Sequence, residues 1–299
     1  MWGLSEMHLI FISLVSRFDS RAALTAKQGY PPFLRDLLYL AIPVLGAIAV
    51  GSAALYGRAA VFSAGPEAWT LDAASTILFS MALLGILFYW MKRYPEKSAR
   101  LLVAAVAIAG TISGLILLRI SLEASGAPPA VFLVTLPLGY MGLNWSVRGY
   151  FRSLSPRRTT GLMVASSTLL GALIGTSLSP AVAITFLVML TILDVIVVGC
   201  NTVPGIVGRS GYDQVVSVVT LQLEKYVVGL GDFLAYSILS SAALRILGLY
   251  GAIETSILIL LGIAVTFQVT KTRGRAPGLL LPISLGLTPL VLGLSSIWM

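Results

Sequence analysis

Long apolar runs separated by short polar loops dominate this chain. A membrane-spanning helix needs about 20 mostly apolar residues. Nine stretches approach that length: about 37–57, 71–91, 100–118, 130–147, 159–178, 181–199, 227–248, 252–270 and 277–298. The pattern predicts an all-α, polytopic membrane protein with nine transmembrane helices in one integral membrane domain. A basic arm over 1–36, with an interfacial helix expected at 5–18, precedes segments one to six over 37–199. A loop over 200–226 separates these from segments seven to nine over 227–299. No loop is long enough for a separate soluble domain, and no internal repeat stands out.

Charge changes this picture by orienting it. Lys and Arg gather in cytoplasmic loops. The arm carries Arg17, Arg21, Lys27 and Arg35, and the second loop carries Lys92, Arg93, Lys97 and Arg100. The fourth loop holds Arg148, Arg152, Arg157 and Arg158. The sixth holds Arg209 and Lys225, and the eighth holds Lys271, Arg273 and Arg275. The other side has Arg58, Arg119 and Arg245 alone. Seventeen cations against three predict a cytoplasmic N-terminus, a cytoplasmic 200–226 loop and an external C-terminus.

Composition agrees with a bilayer as solvent. Of 299 residues, 57% are hydrophobic and 11% charged, whereas soluble proteins carry about 25% charged residues. The net charge of +8 does not point to nucleic acid, because the basic residues lie between apolar segments and form no basic domain. The short apolar run at 9–15 follows Glu6 and precedes no small-residue cleavage site, so no signal peptide is expected.

One cysteine, Cys200, and one histidine, His8, leave no intrachain disulfide and no Cys/His metal site. No HisGluXXHis string is present, which excludes that class of zinc protease. Gly208-Arg209-Ser210-Gly211 resembles a serine-nucleophile turn. His8 lies in the N-terminal arm, so a flexible loop accounts for this string.

Two acids stand apart from the rest. Asp194 lies in Thr191-Ile192-Leu193-Asp194-Val195-Ile196-Val197, and Asp232 follows Gly229-Leu230-Gly231. Most other acids fall in loops or at segment ends. A carboxylate in hydrocarbon costs at least about 2.5–3.5 kcal/mol on insertion scales, so each marks a functional site. Segment six runs inward and segment seven outward, and each aspartate lies about five residues from the cytoplasmic end. At 1.5 Å per residue both sit roughly 7–8 Å deep, and consecutive antiparallel helices are usually neighbours. The aspartates are therefore expected to face each other, and paired carboxylates suit aspartyl proteolysis.

Segment nine supplies a third element. It enters as Ala276-Pro277-Gly278-Leu279-Leu280-Leu281-Pro282, with Pro282 near the depth of the aspartates. A proline inside a helix removes a backbone donor and disturbs the preceding turn. Backbone at 278–282 is therefore expected to be irregular and able to pair with an extended peptide. A proline near a helix start is also ordinary. Gly229 and Gly231 suggest close helix approach, although glycines are common here.

The run Val228-Gly229-Leu230-Gly231-Asp232-Phe233-Leu234-Ala235-Tyr236-Ser237-Ile238-Leu239 resembles the GlyXGlyAsp segment of the presenilin and signal peptide peptidase family. Leu193-Asp194 through Gly199-Cys200 resembles the family's TyrAsp motif, with Leu193 in place of tyrosine. Leu279-Leu280-Leu281-Pro282 resembles its Pro-Ala-Leu motif, keeping Leu281 and the following proline. Nine segments with a cytoplasmic N-terminus resemble presenilin, whereas signal peptide peptidases are inverted. The short 200–226 loop suggests a compact microbial, archaeal relative in a prokaryotic cell membrane.

The resemblance implies an intramembrane aspartic endopeptidase. Asp194 and Asp232 would be catalytic, Gly229, Leu230 and Gly231 would support the site, and Leu279 to Pro282 would bind substrate. Partners would be transmembrane-helix substrates and the lipid bilayer, with homo-oligomerisation left open. The chemistry calls for no metal and no organic cofactor. A different class, a transporter or ion pathway, also uses membrane-buried aspartates, but has no need of a broken segment nine beside both.

Overall fold

A computed structural model describes residues 32–55, 86, 89–90, 92–126, 133–151, 156–200, 220–222, 227–273 and 276–298. Among them are seven helices and one two-stranded ribbon. The helices are α1 (Pro32–Leu55), α2 (Pro95–Ala124), α3 (Thr135–Tyr150), α4 (Pro156–Ser177), α5 (Pro180–Gly199), α6 (Leu230–Arg273) and α7 (Leu280–Trp298). The ribbon joins β1 (Thr220–Gln222) to β2 (Val227–Gly229) just before α6. The arm over 1–31, with its expected interfacial helix, lies outside the described residues. So does the expected segment 71–91, except 86, 89 and 90.

Prolines start α1, α2, α4 and α5, where a missing backbone donor costs nothing and the fixed φ suits a first turn. Ser179 caps α5 by accepting from the Val182 amide at 3.4 Å. Five helices, α1, α2, α4, α5 and α6, are long and apolar enough to cross a membrane. The chain is a helical membrane protein. The described apolar stretch of α7, Leu280–Gly293, is shorter, as is the 16-residue α3.

Side chains are distributed as lipid demands. Leu136, Ile192, Ile257 and Leu292 are outward and exposed, while Ser237, Ser240 and Ser241 are fully buried. Hydroxyls inside apolar helices find partners on their own backbone. Thr168 donates to Val164 O, Thr191 to Leu187 O, Ser256 to Ala252 O and Thr266 to Gly262 O.

Segments seven and eight, expected as separate helices, are joined in α6 across a break at Gly248, whose φ of 73° and ψ of −169° are non-helical. That region is open to glycine and strained for other residues. The chain doubles back there. A Cβ added at Gly286 of α7 would lie 2.7 Å from both Leu239 and Ile259. Along a straight helix those two residues would be about 30 Å apart. The half over 230–247 forms the centre, with α1, α4 and α7 packed round α6 and α5 set against α6 and α7.

Glycines on α4 allow that centre to close. Gly171 and Gly175 are spaced as GlyXXXGly, which lets membrane helices approach closely. A Cβ at Gly171 would lie 2.5 Å from Ser237 Cβ and 2.9 Å from Leu234 O. One at Gly175 would lie 2.9 Å from Ser241 Cβ and strike the Ile238 carbonyl. Ser237 in turn donates to Pro43 O of α1 at 3.2 Å, so α1, α4 and α6 meet at one level.

This packing predicts opposite outcomes for two similar substitutions. Gly171→Ala should destabilise the protein by about 1–3 kcal/mol through overpacking. Gly161→Ala, on the same helix with nothing within 4 Å of the added Cβ, should be neutral or stabilising by up to about 1 kcal/mol. Equilibrium unfolding in mixed micelles checks both.

Candidate active site

Asp232 sits at the mouth of a helix. The ribbon pairs Thr220 with Gly229, Leu221 with Val228 and Gln222 with Val227. It delivers the chain to Leu230, where α6 begins, so Asp232 lies in the first turn. The Gly229 N–H donates to Asp232 Oδ2 at 3.2 Å. This is the returning half of a capping box, in which an acid at the third helical position satisfies the amide at the cap. A carboxylate here also complements the positive end of the helix dipole. Asp232 is thus nearer the helix start than a segment beginning at 227 implies, because Val227–Gly229 is strand.

Asp194 lies five residues before the end of α5 at Gly199. It is half-buried, between the exposed Ile192 and Val195 and beside half-buried Leu193. Its Oδ2 accepts from the Leu279 amide at 2.8 Å. The bond spans 85 positions in the chain and ties α5 to the entrance of α7.

That entrance brings the two aspartates to one place. Residues 276–279 are non-helical, and α7 begins at Leu280. Leu279 holds Asp194, and the neighbouring Gly278 abuts Asp232. A Cβ at Gly278 would lie 2.6 Å from Asp232 Oδ2 and 3.1 Å from Oδ1. No side chain fits there. The close approach expected at Gly229 and Gly231 occurs instead at Gly278. A Cβ at Gly229 would make ordinary contact at 3.6 Å, and one at Gly231 would meet nothing within 4 Å.

The rest of the Leu279–Pro282 run is placed differently from expectation. Leu279 is buried, Leu280 is exposed, Leu281 is half-buried and Pro282 is buried. The Ile283 amide donates to Leu279 O at 3.0 Å, so Pro282 already belongs to the first turn of α7. Its missing N–H interrupts nothing there. The irregular backbone is 276–279 rather than 278–282, and of the four residues only Leu279 is non-helical. Pro282 instead serves packing, because a Cβ at Gly262 of α6 would lie 2.5 Å from its Cα.

Three contributors lay outside the candidates read from sequence. Tyr236 donates its hydroxyl to Gly278 O at 2.9 Å, and its position four residues after Asp232 marks the same helix face. From the sequence Gly278 stands out only as the first residue of the 278–282 backbone stretch, not for its contact with Asp232. The β1 strand follows a β-branched run, Val215-Val216-Ser217-Val218-Val219, but lies in a stretch too short to stand out as a ribbon. Among the described residues no group of three or more His, Cys, Asp and Glu side chains is placed to hold a metal.

Gly278→Ala should force Asp232 off the Gly229 amide or shift the 276–279 backbone off Asp194. Hydrogen–deuterium exchange should then quicken at the Gly229 and Leu279 amides. Gly231→Ala, with open space around it, should leave both unchanged. Equal protection in Gly278→Ala and the wild type would contradict the tight fit. Scanned against protein-family models the chain matches none, and no curated protein matches it.

Proposed function

We propose that this protein is an intramembrane aspartic endopeptidase that hydrolyses peptide bonds within transmembrane helices of other membrane proteins. One observation carries the reading. Asp194 and Asp232, from different helices, are both held against consecutive residues, Gly278 and Leu279, of one non-helical link. The resemblance of Gly229–Asp232 and its flanks to the presenilin and signal peptide peptidase family supports the same reading.

The chemistry follows from the pair. Two close carboxylates resist double ionisation and share one proton. The ionised member takes a proton from water, and the oxygen of that water attacks the scissile carbonyl carbon. The protonated member polarises the carbonyl oxygen, and a proton then passes to the leaving amine as the C–N bond breaks. The proton belongs to the pair rather than to either residue. Backbone amides of Gly229 and Leu279 orient the two carboxylates, so the geometry does not depend on flexible side chains. The amides of Leu280 and Leu281, in the first turn of α7, belong to the set a helix leaves without internal partners. They suit a locally unwound substrate backbone, since a substrate amide must leave its own helix before water can reach it.

In this reading all nine apolar stretches cross the membrane, the two halves of α6 serve as segments seven and eight, and the N-terminus is cytoplasmic. The site then lies near the cytoplasmic face of a prokaryotic cell membrane and receives water from there. Substrates would present their N-termini outside.

Purified Asp194→Asn and Asp232→Asn proteins should each lose cleavage of a transmembrane peptide by at least about a thousandfold, while remaining folded. The wild-type rate should fall on both sides of an optimum pH, as a pair sharing one proton requires. Wild-type-like cleavage by either variant would remove the dyad. Asp-dependent ion flux without cleavage would favour a transport pathway.

Topology has its own check. Cysteines placed at Arg93, Arg157 and Arg273 should label from the cytoplasmic side of intact cells, and one placed after Ile297 from outside. External labelling at 273 would reverse the arrangement and the direction from which water enters.

A further inference from the structure

Beside the two carboxylates, α6 places a buried phenol that the reaction itself does not use. Tyr236 is 2% exposed and stands one turn beyond Asp232, on the same face. Its hydroxyl does not spend its proton on either carboxylate. It donates to Gly278 O at 2.9 Å, although the two residues lie 42 positions apart in the chain.

The target of that bond is the important point. Gly278 O and Leu279 N belong to one peptide group. The carbonyl accepts from Tyr236 and the N–H donates to Asp194 Oδ2 at 2.8 Å. No described peptide bond is cis, and a planar trans peptide points its C=O and N–H in opposite directions. Holding one end therefore aims the other. The Cα of the same peptide group faces Asp232, where a Cβ would fall 2.6 Å from Oδ2. One peptide plane thus touches Asp194, Asp232 and Tyr236, and Tyr236 is the only side chain of the three with no role in the chemistry.

A buried phenol needs some hydrogen-bond partner, and a carbonyl in a non-helical link needs a donor. Mutual satisfaction alone would make this bond a packing detail. The coupling through a rigid peptide to the carboxylate of Asp194 gives it more consequence.

We infer that Tyr236 is a positioning residue of the aspartate pair: it clamps the Gly278–Leu279 peptide so that the Leu279 N–H aims the Asp194 carboxylate and Gly278 holds its place against Asp232. This rests on the proteolytic reading for its functional consequence, and on the hydrogen bonds alone for the clamp.

Tyr236→Phe keeps the ring and removes the hydroxyl, and the experiment uses the full-length protein in proteoliposomes with a synthetic transmembrane peptide. The expected result is a fall in kcat of about tenfold or more, the scale of one lost buried hydrogen bond, with KM within about twofold. Amide exchange should quicken at Leu279 while protection in α1 and α4 stays as in the wild type. A wild-type kcat, an effect confined to KM, or unchanged exchange at Leu279 would overturn the inference. A loss of protection spread across α1, α4 and α6 would also overturn it, by showing a general packing role. The exchange arm needs no catalysis. If the wild type cleaves nothing, the proteolytic reading falls and the positioning role falls with it, whatever exchange shows of the clamp. If the wild type cleaves and Asp232→Asn does not, the Tyr236→Phe rates bear on the clamp alone.

Discussion

Polar groups inside a hydrocarbon phase must find partners within the protein, and this structure meets that demand most tightly at one peptide group. The Gly278–Leu279 unit lies in a non-helical link between two apolar helices, where no backbone ladder can satisfy it. Its carbonyl is met by a phenol and its amide by a carboxylate. The same two bonds that satisfy the backbone also fix the position of Asp194 relative to α6. Backbone accounting and site geometry are here one problem with one solution.

Close packing makes the solution reachable. The helices approach until a Cβ would collide, at Gly171 and Gly175 of α4 against α6, at Gly262 of α6 against Pro282, and at Gly278 against Asp232. Lipid supplies little hydrophobic drive between helices, so contact area and interhelical hydrogen bonds must hold them together. The bonds from Ser237 to Pro43 O and from Arg245 to the carbonyls of Thr176 and Leu178 do this at two levels of α6. Arg245 meets carbonyls at the end of α4, where a cation complements the helix dipole. The first half of α6 is consequently the most enclosed element, and it carries Asp232 and Tyr236 at its N-terminal end.

Asp232 and Asp194 are held by different means. Asp232 is bound locally, by an amide three residues earlier, and its position follows from where α6 starts. Asp194 is bound by an amide 85 residues later, so its position depends on how α7 enters. A disturbance at 276–279 therefore acts on Asp194 through a hydrogen bond and on Asp232 through direct contact. That asymmetry explains why a link with no acid or base of its own governs both carboxylates.

The chain by itself determined the helical, membrane-embedded class, because apolar runs about 20 residues long admit few other structures. It also determined which acids were out of place, since Asp194 and Asp232 interrupt apolar runs and need no structure to be noticed. The helices over Pro32–Leu55, Pro95–Ala124 and Pro180–Gly199 lie where those runs predict, with α5 nearly unchanged and the ends of the other two moved by up to six residues. Matching depth led to the expectation that Asp194, Asp232 and the entrance of segment nine would meet, but the individual contacts among them were not legible. Gly278 reads only as the start of the 278–282 stretch, and its tight fit arises from Asp232, 46 positions away in sequence. Tyr236 reads as one more apolar residue until the 276–279 link is laid across it. The proline at 282 left a broken helix and an ordinary helix start both open, and the structure puts it in the first turn of α7, packed against Gly262. The physical reason is the range of each effect: hydropathy and turn chemistry act over a few neighbours, whereas the partners of a buried carbonyl are chosen by helix packing.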